Sequence, residues 1–348
     1  MDCTKLQREV DTHNQTFQQK KHKELNLMFL KSIHNKETFL PDIDIENHHG
    51  ISFKKPILSA LLDSYTVVDL HFHSRHSDGF NSIDAIAERA RKLGIGIAVT
   101  DHNTIDGAAE LSRHKDIFSI QGIEITAKEG AHVLVYFYSM KNLIDFYTTE
   151  ISPWLGKNLM ASCALSMESI ISRARDYDGI VVFPHPYAAF TGVCNPIFSK
   201  RRQQSLFAMG DGVEVINGGN IHRWNLKAAE LGLKFETGLT AGSDGHNLFQ
   251  MGSAVTYANC KKDKKAFLDA IKRKETWTVG KEVGLLLKVT SNGMKFRTNI
   301  NNTPDLFGKN VRYSYALIHS GSSRMRNHVY EKFDRKYRHQ FLKKLNIL

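Results

Sequence analysis

From residue 65 onward, short apolar runs alternate with amphipathic stretches, and several of the runs end in histidine, aspartate or glutamate. Strand-like segments fall at 67–72, 95–99, 118–125, 132–138, 179–183, 212–216 and 239–243. Helices are expected between them at 82–94, 104–114, 143–177 and 221–231. The first is the clearest. Ser82 is a good N-cap, Asp84 lies in the first turn, Ile83, Ile86, Ala87, Ala90 and Leu93 recur at helical spacing, and Gly94 stops the helix. Strands separated by helices imply an α/β fold, a parallel sheet or barrel that gathers ligands at the carboxyl ends of its strands.

The strand at 67–72 runs directly into His71-Phe-His73-Ser-Arg-His76-Ser-Asp78-Gly. Two histidines at i and i+2 on an extended segment face the same side, so both imidazoles can reach one ion. Later strand ends add Asp101-His102, Glu124, His132, His185 and Asp244-Gly-His246. A single histidine at a strand end is ordinarily a hydrogen-bonded structural residue; nine such residues, in a chain with 17 histidines, are not explained that way. Nitrogen and carboxylate donors without thiolates suit Zn, Mn or Fe. Nine ligands exceed what one ion needs and suit two or three divalent ions, with Glu124 chemically fitted to bridge.

Composition narrows the setting. With 41% hydrophobic and 24% charged residues, the 348-residue chain can bury a sizeable core. Cys3, Cys163, Cys194 and Cys260 form no C-x-x-C pair, which predicts reduced thiols and a cytoplasmic location. No apolar run is long enough for a membrane span, and the polar N-terminus does not read as a secretion signal. Residues 281–348 hold 14 Lys/Arg against 4 Asp/Glu, so most of the net charge of +11 sits there. Such a tail suits phosphate backbones, and a solvated basic surface accounts for it equally well. Within it, a hairpin at 285–300, a strand at 313–319 and a basic helix from 324 are expected. Three parts follow: an N-terminal helical and irregular extension over 1–64, a metal-binding α/β domain over 65–280, and the basic α+β extension over 281–348. Nothing in the sequence speaks to oligomeric state.

The motifs His71-Phe-His73-x4-Asp78-Gly, Thr100-Asp101-His102, Gly122-Ile-Glu124, His132, Pro184-His185-Pro186 and Ser243-Asp244-Gly-His246 together resemble the PHP family, named for polymerase and histidinol phosphatase domains. The resemblance covers about residues 65–280 and is most similar to the single-domain phosphoesterases, including RNase AM-type enzymes. It implies a distorted (β/α)7 barrel of PHP type. It also implies that His71, His73, Glu124 and Asp244 hold one ion, that Glu124, His132 and His185 hold a second, and that Asp78, His102 and His246 hold a third.

The chemistry expected is hydrolysis of a phosphate ester, by a hydroxide bridging two ions, on nucleotides or on 5′ or 3′ ends of nucleic acid. His76 and Asp101 are candidates to protonate the leaving group, although Asp101 also fits the role of orienting a ligand histidine. Arg75 and Arg201, the latter within Lys200-Arg-Arg202, are candidates to grip phosphate. Two other classes compete. An amidohydrolase-like metal hydrolase also opens with H-x-H, but the Glu124 and Asp101-His102 contexts fit it poorly. A regulatory protein would bind nucleic acid through its basic tail alone.

Overall fold

A computed structural model describes residues 50–282; the expected elements at 285–300, at 313–319 and beyond 324 lie outside them. The chain order is β1 (Ile51–Ser52), α1 (Leu58–Leu62), β2 (Thr66–Phe72), α2 (Ile83–Leu93), β3 (Gly96–Val99), α3 (Asp106–Leu111), β4 (Gln121–Thr126) and β5 (His132–Phe137). It continues α4 (Met140–Phe146), α5 (Met167–Arg175), β6 (Ile180–Phe183), α6 (Lys200–Met209), β7 (Gly212–Asn217), α7 (His222–Lys234), β8 (Gly238–Gly242), β9 (Ala254–Ala258), α8 (Lys264–Lys272) and β10 (Thr276–Gly280).

These strands form two five-stranded sheets, in the orders β1-β10-β9-β2-β3 and β4-β5-β6-β7-β8. The expected α/β class is observed, and among the described residues eight α-helices accompany the sheets. Continuous ladders do not close the described strands into one barrel. The sheets meet instead through isolated bridges, Phe72 with Gly245, Ile97 with Ser119, and His102 with Glu124. Nor is the pairing purely parallel. β4-β5-β6 and β10-β9-β2 run antiparallel; for β4 and β5 this follows from their short connection with Gly130, in place of a crossover helix. Strands β1, β9 and β10 go beyond the seven expected, and Ile51 in β1 is a buried core residue.

Local signals account for the helices. In α2 the Ser82 side chain accepts the Ala85 N–H, Gly94 takes the left-handed cap at φ 73°, and Ile83, Ile86, Ala87 and Ala90 are buried. The long helix expected at 143–177 is broken. A π-helical turn at Tyr147–Ile151 and a single 3₁₀ turn at Ser152–Trp154 follow α4, and Pro153, which has no N–H to continue the ladder, stands at the break. The chain then runs irregularly until Ser166 caps α5. That irregular segment is tied down by Asn103, whose Nδ2 donates to the carbonyls of Leu159 and Ala161.

β2 is buried along its whole length, so Asp69 and His71 enter the interior with Val67, Val68 and Leu70. The carboxyl end of β8 approaches β2 so closely that a Cβ at Gly242 would lie 2.4 Å from the Cβ of His71 and 2.7 Å from its backbone nitrogen. Gly242→Ala is therefore expected to cost roughly 1–3 kcal/mol through overpacking against backbone, read as a lowered midpoint in a thermal melt of the full-length protein.

Candidate metal centre

The nine residues gather in one buried cluster where the two sheets meet. His71 and His73 come from β2 and its end, Glu124 from β4, His132 from the start of β5, and the others from the loops after β2, β3, β6 and β8. Donor atoms lie within 4.8 Å of one another in four overlapping groups: His73, Asp78, His102 and His246; His71, Glu124 and His185; His71, His73 and Asp244; and His102, Glu124 and His132. His73 and His102 each stand between groups, so the division into three ligand sets implied by the family resemblance is less sharp than expected.

Glu124, like His71, His73 and His102, belongs to two of the groups, and its two oxygens face different partners. Oε1 is 2.8 Å from His132 Nδ1 and 3.1 Å from His185 Nε2. Oε2 is 3.0 Å from His102 Nδ1, 3.4 Å from His71 Nε2 and 3.5 Å from His73 Nε2. Asp244 Oδ1 adds a second carboxylate 3.2 Å from His73 Nε2. Asp78 Oδ2 is 2.9 Å from His246 Nε2.

Burial acts against ionisation of Glu124, yet His132, His102 and His71 outweigh it and hold its pKa well below the usual carboxylate range. Asp244 is held low in the same way, by His71 and His73 against burial. Burial likewise disfavours the charged form of His71, but Glu214, Glu124 and Asp244 raise its pKa well above that of a free imidazole. For His185, Glu124 overcomes burial and raises the pKa. For His102, burial wins and lowers it to about 3. Three buried atoms at the centre of this arrangement, His73 Nδ1, His102 Nδ1 and Glu124 Oε2, have no hydrogen bond. Unmade hydrogen bonds of this kind are costly in a dry interior, and a divalent cation is the species that imidazole lone pairs and carboxylates satisfy together. The donor set therefore fits a metal centre.

Several supporting residues carry no motif in the sequence. Glu214 in β7 places Oε1 3.0 Å from His71 Nδ1, which leaves Nε2 facing the cluster, and its Oε2 accepts the His185 backbone N–H at 2.8 Å. Asn217 donates to Glu214 at 2.8 Å and to Asp244 at 3.3 Å. Asn217 is in turn gripped by Asn225, which also donates to Glu282 at 3.0 Å. Asp69, its pKa raised to about 6 by burial, accepts the backbone N–H of Ser243 and Gly252 at 2.9 Å and so anchors both ends of the loop that carries Asp244 and His246. The one signal for Glu214 and Asp69 is a lone carboxylate inside an apolar strand. Strain adds to the picture: His185 and Asp244 hold φ values of 28° and 48°, a region non-glycine residues occupy at a cost and most often at functional sites.

The expected catalytic residues fare differently. Asp101 is buried, but it touches no ligand imidazole. Its carboxylate accepts the Ser74 N–H (2.8 Å), the Ser74 hydroxyl (2.6 Å) and the Ser77 hydroxyl (2.6 Å). Its place is under the 74–77 loop, as a positioning group. His76 sits partly exposed on that loop, with Nε2 2.7 Å from Glu110. Arg75 is exposed beside it. Arg201 is exposed at the start of α6, where it is the neighbouring Arg202 that pairs, with Glu129 and Glu168.

Residues 69–176 match the PHP domain model, and residues 222–276 match the PHP-associated model. An uncharacterized protein of Methanocaldococcus jannaschii is 28% identical over 164 residues, spanning 43% of this chain and 80% of that protein. A second from the same organism is 25% identical over 189 residues, 54% of this chain and 68% of that protein. Among solved structures, PsfC from Pseudomonas syringae aligns with a TM-score of 0.50 at 18% identity, covering 68% of this chain and all of that one. Endonuclease Q, solved with a 27-mer duplex substrate carrying an abasic lesion at the active site, aligns with a TM-score of 0.51 at 18% identity, covering 63% of this chain and 60% of that one. At these identities the structural likeness is one of fold.

Removing the Asp101 carboxylate leaves the Ser74 amide and two hydroxyls without their acceptor. Asp101→Ala is expected to cost roughly 1–3 kcal/mol of stability, measured by denaturant unfolding of the full-length protein.

Proposed function

We propose that this chain, whose residues 69–176 and 222–276 match the PHP domain and PHP-associated models, is a metal-dependent phosphoesterase of the PHP family. His71, His73, Asp78, His102, Glu124, His132, His185, Asp244 and His246 hold two or three divalent ions, Mn, Zn or Fe, in this reading. The observation that supports it most is the divided carboxylate of Glu124, with His132 and His185 on one oxygen and His71, His73 and His102 on the other. A carboxylate that serves only one histidine would not need two facing sets. The electrostatics agree: an anionic substrate is repelled by Glu124, Asp244 and Asp78 unless cations stand between.

Ions held there would activate water at neutral pH and neutralise charge developing on the phosphoryl oxygens. The chain's own groups do the rest. Glu214 keeps the proton of His71 on Nδ1, and the Asp244 carbonyl, 2.9 Å from His246 Nδ1, does the same for that ring. Asp101 locks the 74–77 loop, so that His76 and Arg75 stand at the rim. There His76, backed by Glu110, gives a proton to the leaving oxygen, and Arg75 meets the phosphate. Asp101 itself is fully engaged with serines and is not the proton donor.

The substrates we favour are nucleotides or the 5′ or 3′ ends of nucleic acid. The excess of 14 Lys/Arg over 4 Asp/Glu in residues 281–348 suits a polyanion, and Endonuclease Q, of similar fold, was solved on a DNA-lesion duplex. No helix among the described residues is long and apolar enough to cross a membrane. Cys163, Cys194 and Cys260 are free thiols, which supports a cytoplasmic setting.

Two measurements test this function. The metal-loaded full-length protein is expected to release phosphate from p-nitrophenyl phosphate or a 5′-phosphorylated oligonucleotide, with His71→Ala and Glu124→Gln each lowering the rate by about a hundredfold or more and reducing bound metal. No release from either substrate, with metal content confirmed, would sink the proposal, as would faster cleavage of a dihydroorotate-type amide. The second measurement uses pH. Protons compete with metal for His71 and His185, whose pKa values are raised, so metal retention is expected to fall as pH drops through those values. In the metal-free protein the sign reverses. Stability contributed by these histidines is full below the ordinary imidazole pKa of about 6.5 and is lost as pH rises through the raised values. Thermal melts of chelator-treated protein at acidic and alkaline pH check that trend.

A further inference from the structure

At the end of the molecule opposite the metal cluster lies a cavity of about 530 Å³ whose rim carries Lys115, Lys262, Lys264 and Lys265. Its position follows from strand pairing. Ala258 at the end of β9 pairs with Thr66 at the start of β2, and the Thr66 hydroxyl donates to the Cys260 carbonyl at 2.8 Å. From Thr66 the buried β2 strand runs on to His71 and the cluster, a separation of roughly 17 Å along an extended chain.

Two unfavourable placements converge on this cavity. Lys264 and Lys265 occupy the first turn of α8, with no acidic residue in that turn, where the helix macrodipole already presents positive charge. Lys264 is half-buried rather than fully solvated, and burial followed by the Lys115 ammonium lowers its pKa. Two carboxylates also line the cavity: Asp263 caps α8 by accepting the Ala266 N–H at 2.9 Å and offsets part of the effect on Lys264, and Asp116 is 2.7 Å from Arg91 Nε. Lys115 donates to the Ser112 carbonyl at 2.8 Å. Lys265 is paired with Asp269 and lies over the Tyr138 ring. Lys115, Lys262 and Lys264 have no carboxylate ion pair among the described residues. A merely solvated lysine surface would spread its charges outward. Here four lysines line one concavity, Lys264 half-buried and Lys115, Lys262 and Lys265 exposed, with Ile117, Phe118 and Tyr138 in its wall, and its volume suits a small ligand.

We propose that this cavity is a second anion site, separate from the metal centre, which takes a small phosphomonoester with its phosphate between Lys115, Lys262 and Lys264 and its organic part against Tyr138 and Phe118. An anion of that charge relieves the lysine–lysine repulsion and accepts from several ammonium donors at once.

Pyridoxal 5′-phosphate is a suitable probe, being a phosphomonoester whose aldehyde condenses with a lysine amine to an imine, with loss of water, and is then fixed by borohydride. With chelator-treated full-length protein, peptide mapping is expected to find the adduct concentrated on Lys264 or Lys115 and reduced by inorganic phosphate. Pyridoxal, which lacks the phosphate, is expected to label these lysines no more than others. The double variant K115A/K264A is expected to bind the probe about tenfold more weakly for each ammonium group removed, with a melting temperature no lower than that of the wild type. Labelling spread evenly over the lysines, no protection by phosphate, or wild-type affinity in K115A/K264A would each overturn the site.

Discussion

One buried carboxylate organises the molecule's interior. Glu124 has no water to solvate it, and it is stabilised by imidazoles delivered from four separate segments of chain. Each imidazole must therefore arrive at a fixed place. The seam between the two sheets is built around that requirement: the bridge from His102 to Glu124 joins the edge of one sheet to the edge of the other at the centre of the cluster. The Glu124 amide also donates to the Asp101 carbonyl, and the Asn103 amide donates to the Glu124 carbonyl. Backbone and side chain thus converge on the same residue. A charge that would be prohibitive alone becomes tolerable because five histidines share it.

Around that centre the protein devotes its other buried carboxylates to orientation. Glu214 fixes the tautomer of His71 and the backbone of His185, and Asp69 fixes the loop bearing Asp244 and His246. Asp101 serves the loop between His73 and Asp78. None of these three needs to meet substrate. Each holds in place a segment whose backbone is irregular or strained, as the positive φ values of His185 and Asp244 show. The contrast with the far cavity is instructive. There the four lysines outnumber the two lining carboxylates, Asp116 and Asp263, and of the four only Lys265 has a carboxylate ion pair among the described residues.

Much of this is legible in the sequence, and the reasons are physical. The α2 helix carries its own cap, stop and periodicity, so its bounds follow from the sequence to within a residue. The nine clustered residues are visible because histidines and carboxylates at the ends of apolar strands are chemically conspicuous. Glu214 and Asp69 lie in the middle of apolar runs, where a strand pattern alone does not say which partner a charge will find. Asp101 misleads for a similar reason: adjacency to His102 in sequence suggests service to that ring, whereas side chains alternate across an extended segment and its carboxylate turns to Ser74 and Ser77. Sheet closure is not legible either. The β4–β5 turn makes the pairing antiparallel, and β9 and β10, short and bordered by polar loops, carry no motif to flag them.

The hydrogen-bonded path from Glu282 through Asn225 and Asn217 to Asp244 and Glu214 has a mechanical meaning. Asn225 lies on α7, Asn217 closes β7, and Glu282 follows β10, the strand that pairs with β1 at the sheet's edge. Three elements from the later half of the fold are thereby cross-braced by amides against the carboxylates of the cluster. Amide groups hold their charge state across the pH range, so the Asn217–Asn225 link of this brace keeps its hydrogen-bonding character whatever the protonation of the histidines in the cluster. The interior thus couples an ionisable centre to a pair of amides that carry no ionisable proton, and the geometry of the first is set by the stiffness of the second.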